Sequence, residues 1–424
     1  MRYWLVAAIL LGTGIVLIPV IYTGGAIDTF RLPKEMAFRA EAILLALVGG
    51  FAATAPRTSW REAIAELPRT EKYLLAAIAV WSIVTTLTST NRPLSESSLV
   101  TAFAALVIYI GTRLVAPRLG LAALYVVFAG ALANAVVVTL QELRIWNPFV
   151  FPAEVSGHGQ SVGLLGNAND VGTLLVGPAV VALVAAVEVG GWRRAVYALL
   201  AAMLVGGLVA SQTRTAMIAF VVGALVITLQ RPWRQAIVVA VLLLAVTAIT
   251  LRPSTGIRQH FGSLIEAARH RDYPVLFSER AVPFLSAIEM VRMHPLTGVG
   301  PGCFKYHFML TRLSLEQRYP KEWTRGWPMN FGETHNDHLQ VAAETGAPGY
   351  ALFVAAVLLL GIRLRRTKGE TLGAQQMLGR AMRAPLAATF FVTAMAQFPL
   401  QLAASRLMFL TLAALAMAWD RKNA

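Results

Sequence analysis

Apolar stretches recur along the chain, separated by short polar clusters. Each runs for roughly 17–25 residues, enough to cross a bilayer as an α-helix. The pattern predicts about twelve spans. They lie over 3–20, 37–53, 73–89, 99–116, 119–140, 171–188, 195–210, 215–229, 236–251, 347–364, 385–398 and 402–419. Backbone groups in lipid must be bonded within the spanning segment, and the short alternating segments of a membrane β-barrel do not occur here, so the spans are read as helices. There is no internal repeat and no low-complexity tract. One polar segment, 252–334, is far longer than any other connection. The expected fold class is therefore all-α, a polytopic membrane protein with about twelve transmembrane helices and a large, partly helical loop between the ninth and the tenth. The chain divides into helices one to nine (1–251), the loop with the candidate chemistry (252–346) and the last three helices (347–424).

Composition sharpens this picture. Hydrophobic residues make up 57% of the 424 and charged residues only 14%, where a soluble domain carries roughly a quarter. The net charge of +15 invites a nucleic-acid reading, but most Lys and Arg flank apolar segments, as topology signals do. With the N-terminus inside, the inner short loops hold 19 Lys and Arg, among them Arg113 and Arg383. The outer short loops hold 6, namely Arg31, Lys34, Arg92, Arg144, Arg214 and Arg406. The opposite orientation violates the positive-inside rule. Residues 1–20 have the basic start and apolar run of a signal peptide but no clear cleavage site, and are read as a retained first helix. Cys303 is the only cysteine, which excludes an intramolecular disulfide and a thiolate metal cluster.

The long loop thus falls outside. Within it 278–293 carries helical spacing through Val282, Leu285, Ile288, Met290 and Met293. A mildly basic outer loop suits an anionic substrate at the membrane surface. The sharpest local feature is Glu333-Thr334-His335-Asn336-Asp337-His338. Thr334 and Asp337 form a capping-box pattern and Gly346 stands where a C-terminal cap belongs, so His335 is expected in the first turn of a short helix. That end of a helix disfavours imidazolium and leaves a neutral general base. His338, three residues on, is expected to face a similar side. Arg214 lies in a polar break, Ser211-Gln212-Thr213-Arg214-Thr215, where its planar fork suits phosphate oxygens or anchors the interface. Arg280 opens the loop helix. Asn169 or Asp170 is expected to cap the sixth span. The run Gly298-Val299-Gly300-Pro301-Gly302 is either a phosphate cradle of backbone N–H groups or a tight turn. It lacks the Lys-Ser/Thr of a nucleotide loop, and neither metal-ligand spacing nor a paired-carboxylate site is evident.

Taken together these residues resemble a family. His335-Asn336, nine residues and then Gly346-Ala347-Pro348-Gly349 resembles the His-Asn…Gly-x-x-Gly signature of bacterial O-antigen ligases. The segment from His294 to Phe304, the Ser-x-x-Arg of 211–214 and the Gly-Asn-x-Asn of 166–169 are similar to further segments of that family, as are the twelve-helix layout and the position of the loop. The resemblance implies metal-independent, cofactor-free, inverting glycosyl transfer at the periplasmic face of the inner membrane. The donor is a polysaccharide on undecaprenyl diphosphate and the acceptor a sugar hydroxyl of lipid A–core. By motif, His335 is the base, and Arg214 and Arg280 hold the diphosphate. Asn167, Asn169, Asn336, His338 and Gly300 are candidate substrate-binding residues. An O-antigen polymerase, which extends a lipid-linked repeat unit, is the alternative within the family. A transporter of an anionic solute is the alternative from another class, although no repeated halves or midplane charges support it.

Overall fold

The computed structural model describes residues 2–24, 26–54, 62, 64–150, 160–231, 256–270, 272, 276, 280–319, 331–362 and 373–420. Among these there is no strand. The helices are α1 (Arg2–Leu17), α2 (Arg31–Thr54), α3 (Arg69–Leu87), α4 (Arg92–Leu119), α5 (Ala122–Glu142), α6 (Ala168–Glu188), α7 (Trp192–Ala210) and α8 (Arg214–Leu229). Then come α9 (Gly256–His270), α10 (Ala281–Met293) and α11 (Phe304–Arg318) in the long loop, followed by α12 (Asp337–Gly361), α13 (Ala374–Ala396) and α14 (Ala403–Trp419). Among the described residues 7 of these are long and apolar enough to cross a membrane, and three shorter apolar helices accompany them. The expected span 236–251 lies outside the described residues. Most helices begin several residues before the apolar run, as α2, α4 and α13 do, because polar first turns extend them beyond lipid depth.

The core sits around α6, whose membrane-length window is 89% buried. A helix apolar on all sides belongs in the centre of a bundle. Lipid offers no hydrophobic drive between helices, so close backbone approach must hold them. A Cβ on Gly207 of α7, for example, would stand 2.6 Å from the Cα of Ala135 on α5. Several arginines that the charge pattern assigns to loops are instead buried. Arg113 pairs with Glu71 through Nε (2.9 Å) and Nη2 (3.0 Å), Arg383 pairs with Asp420, and Arg406 pairs with Glu35 over the Phe38 ring. Breaking one partner of such a pair costs about 3–5 kcal/mol.

Two motifs that lie far apart in sequence pack directly on each other. The Ala347 N–H donates to Pro295 O (2.9 Å), Val299 N–H to Ala343 O (2.9 Å), and Gly300 N–H to Glu344 O (3.1 Å). The Glu344 carboxylate accepts from Phe304 N–H (3.2 Å). The loop segment 295–304 is therefore laced along the first turns of α12. Gly346 makes this possible. It kinks α12 with φ +70°, and a Cβ there would stand 2.0 Å from Leu296 O. The expected short helix is thus present and ends where expected, at the non-helical Gly346, beyond which the expected tenth span begins.

Gly346→Ala is expected to lower the melting temperature in detergent, since the left-handed backbone alone costs about 1–3 kcal/mol and the clash adds to it. Gly206→Ala, with open space around its Cβ, is the control and should be neutral or stabilising by about 0.4–1 kcal/mol. Equal melting temperatures for the two variants would contradict the packing described.

Candidate active site

The helices alternate in direction, so the starts of α2, α6, α8, α12 and α14 lie at the same end of the bundle. The site is built there. Its frame is the turn 397–402 between α13 and α14. Asp337, fully buried at the start of α12, accepts from Leu400 N–H through Oδ2 (2.8 Å), and its own N–H donates to Gln397 O (3.3 Å). Arg280 donates from Nη1 to Ala396 O (2.5 Å). Phe398, in the same turn, packs edge-on against the His335 ring with centroids 4.6 Å apart.

His335 is not in the first turn of a helix. The N-cap of α12 is Asn336, whose side chain accepts from Leu339 N–H (3.0 Å). Thr334 cannot cap because it is fully buried and its hydroxyl donates to Asn336 O (2.6 Å). His335 therefore precedes the helix, with φ +56°. Among the described residues only Arg144, Gln212 and His335 are non-glycine residues with positive φ, and Gln212 lies two residues before Arg214. Left-handed backbone at non-glycine residues tends to collect at functional sites. His335 also packs against Phe331 (5.9 Å between centroids), so it is a packed residue and not a loose surface group. Its Nδ1 is buried without a hydrogen-bond partner. Burial, and then the charges of Arg280 and Arg31, lower its pKa to about 3. The expected neutral imidazole is present, but burial and neighbouring cations hold it so rather than a helix terminus.

Arg280 is the N-cap residue of α10, as expected for the start of the loop helix. Burial, and then the nearby charge of Arg214, lower its pKa to about 10. Arg214 opens α8 beside the start of α6, where the Thr213 hydroxyl donates to Ala168 O (2.8 Å). Neither arginine has a carboxylate partner among the described residues. Arg280 thus lies within electrostatic reach of both His335 and Arg214, which come from separate segments of the chain.

The other candidates divide. Asn167, not Asn169 or Asp170, caps α6, its side chain accepting from Asn169 N–H (2.8 Å). Both asparagines are exposed at this end of the bundle. Asn336 serves as the cap described above. His338 does not share the face of His335. Its Nε2 donates to Phe391 O (3.1 Å), leaving Nδ1 to accept from the Tyr350 hydroxyl (3.3 Å), and its ring lies among Phe353, Phe391 and Tyr350. The i, i+3 relation fails because one histidine lies outside the helix. Gly300 has φ +109°, and Ser89 and Ser95 surround it. Its N–H and that of Val299 are already given to α12 carbonyls, so this run is a turn packed on a helix and its donors are not open to a phosphate.

Sequence reasoning missed Arg31, which was read as a topology charge. It pairs with Asp170 (3.1 Å) and Glu333 (3.4 Å), and its guanidinium lies 5.4 Å from the Phe398 ring centroid. The available signal was the crowding of Arg31, Lys34 and Glu35 into the first turn of an apolar helix. Arg31, Asp170 and Glu333 also line one end of a largely apolar cavity of about 920 Å³, which reaches Glu71 and Tyr109 at the far end of the bundle.

Residues 198–354 match the family model described as O-antigen ligase. The matched segment holds Arg214, Arg280, Gly300, His335, Asn336, His338, Gly346 and Gly349, whereas Arg31, Asn167, Asn169 and Asp170 precede it. Comparison with curated proteins gives no match.

The depressed pKa of His335 has a stability consequence. Between about 3 and 6.5 the unfolded chain holds a proton that the folded one lacks. The contribution of neutral His335 is thus full above 6.5 and is lost as pH falls toward 3. On acidification from about pH 7 to about pH 5, the wild-type melting temperature should fall more steeply than that of His335→Gln, which cannot charge. Parallel curves would count against a buried neutral imidazole.

Proposed function

We propose, from the match of residues 198–354 to the family model described as O-antigen ligase, that this chain is an O-antigen ligase. It transfers a polysaccharide from undecaprenyl diphosphate to a sugar hydroxyl of lipid A–core, on the periplasmic side of the bacterial inner membrane. One observation carries the reading: Arg214 and Arg280 repel each other without a carboxylate counter-ion among the described residues, beside a histidine held neutral. Two neighbouring guanidiniums without a counter-ion, one of them also bonded to the Ala396 carbonyl, call for a polyanion, and a diphosphate supplies one.

The chemistry follows from the same residues. In glycosyl transfer from a diphosphate lipid, the bond from the anomeric carbon to the diphosphate oxygen breaks and negative charge grows on that oxygen. The arginines bind this charge more strongly than the ground state, which lowers the barrier. The acceptor hydroxyl attacks from the opposite face, inverting the anomeric centre, and His335 takes its proton. An imidazole depressed to about 3 is a weak base. A bound diphosphate neutralises the cations that add to the effect of burial, so the donor's arrival raises its basicity. Positioning and charge neutralisation supply the catalysis in this scheme, without a nucleotide or metal step. The apolar cavity supports the reading because it suits the tail of a lipid-linked substrate.

The test is reconstituted transfer with purified protein, an undecaprenyl-diphosphate glycan and lipid A–core, with EDTA present and nucleotide absent. Lipid A–core should shift to higher mass. A donor glycan that lengthens while lipid A–core stays unmodified would make the protein a polymerase. His335→Ala should abolish transfer. His335→Gln, a neutral polar side chain closer in size, should abolish it too, and full activity in a folded variant would remove the base. Arg214→Lys should lose about tenfold or more, because a point charge does not reproduce the fork. Near-normal transfer would argue against bidentate phosphate binding.

A further inference from the structure

The cavity and the catalytic cluster are adjacent, yet neither Arg214 nor Arg280 lines the cavity. Arg31 belongs to both. It stands at the polar end of the cavity and shares Phe398 with His335, on whose imidazole its charge acts. Unlike the other two arginines, it has carboxylate partners. Its two carboxylate partners differ. Asp170 is held at 3.1 Å and its side chain is 4% exposed, whereas Glu333 is at 3.4 Å and 29% exposed. Asp170 belongs to the first turn of α6, a fixed helix. Glu333 lies in the loop two residues before His335. One contact is therefore structural and the other is weak, wet and attached to the catalytic segment.

A headgroup whose tail fills the apolar cavity leaves it past Arg31 before it can reach Arg280 and Arg214. Its charged oxygens compete with Glu333 for the same guanidinium, and a more highly charged acceptor wins a wet, elongated ion pair. We infer that Arg31 is a displaceable clamp at the mouth of the cavity, exchanging Glu333 for the diphosphate of the lipid-linked donor and so releasing the segment that carries His335 when the donor is loaded. The inference rests on the donor class proposed above. It assigns Arg31, which lies outside the family-matched segment, a role in donor binding, and it makes Glu333 an internal competitor.

The test is equilibrium binding of two radiolabelled lipids to the full-length protein in nanodiscs: undecaprenyl diphosphate, and undecaprenol, which has the tail without the charge. Glu333→Gln keeps Arg31 and removes the competitor, so it should tighten undecaprenyl diphosphate binding several-fold and leave undecaprenol unchanged. Arg31→Ala should weaken the diphosphate lipid by about tenfold or more, again without affecting the alcohol. Because Arg31→Ala strands Asp170 in a buried site, the double variant Arg31→Ala/Asp170→Asn is measured beside it and should show the same selective loss. Arg31→Lys should recover part of the affinity. Inorganic diphosphate alone, added as competitor, should displace the lipid only at far higher concentration, because it cannot use the cavity. Displacement at equal concentration would sever the link between cavity and clamp. If Glu333→Gln does not tighten binding, or the Arg31 variants bind as wild type does, the clamp is wrong while the donor class stands. If wild type binds undecaprenyl diphosphate no better than undecaprenol, both fall together.

Discussion

The site depends on one buried carboxylate. Asp337 begins α12 and is bonded on both sides to the turn between α13 and α14, accepting from Leu400 N–H and donating its own N–H to Gln397 O. A buried carboxylate is costly unless it is hydrogen-bonded, and Oδ2 finds its donor in this turn while Oδ1 has no partner among the described residues, so the Leu400 N–H ties the turn to the start of α12. The same turn carries the Ala396 carbonyl that receives Arg280, the Leu400 carbonyl that receives Arg406 at 2.7 Å, and the Phe398 ring shared by His335 and Arg31. Segments distant in sequence thus acquire a common frame from a few backbone groups at the end of the bundle. These groups are exact in direction, as apolar packing alone is not.

On that frame the protein holds an arrangement that is unfavourable in itself. Arg214 and Arg280 repel, His335 is buried with an unbonded Nδ1, and Gln212 and His335 adopt left-handed backbone. Each feature costs stability, and the rest of the bundle offsets it. An anion relieves the first of these. It neutralises the cations, and through them lifts the penalty on a charged imidazole. Preorganised, uncompensated charge stabilises a developing negative charge without waiting for solvent to reorganise.

The cavity and the cluster also differ in polarity. One is lined mostly by apolar side chains from α2, α3, α4, α12 and α14, and ends in a buried Glu71–Arg113 pair. The other is polar and faces the bundle end. Arg31 stands where the two meet, and its position on the first turn of α2 makes it part of the wall of both. The lacing of the segment 295–304 along α12 serves the same division. It fixes the loop above the membrane end of the bundle and leaves Arg280 to complete the cluster.

The helices were legible because lipid leaves a chain no alternative: an apolar stretch must bond its own backbone, so length and composition alone mark it. His335, Arg214 and Arg280 stand out in the sequence because they lie in short motifs with polar residues where apolar ones are expected. Local pattern failed where a side chain had a distant partner. Thr334 reads as a cap, but its hydroxyl is turned onto Asn336 O and the cap passes to Asn336. His338 reads as a companion of His335, but Phe391 and Tyr350 hold it elsewhere. Arg113, Arg383 and Arg406 read as topology charges and are buried pairs. Arg31 reads the same way, and nothing near it in sequence reveals Asp170 or Glu333, 139 and 302 positions away. The sequence by itself determined the membrane-spanning helices and the chemical types gathered at one end, because both follow from each residue's own bonding needs. Only the tertiary structure decided which charges are compensated, because that depends on which helix ends the bundle brings within a few ångströms of one another.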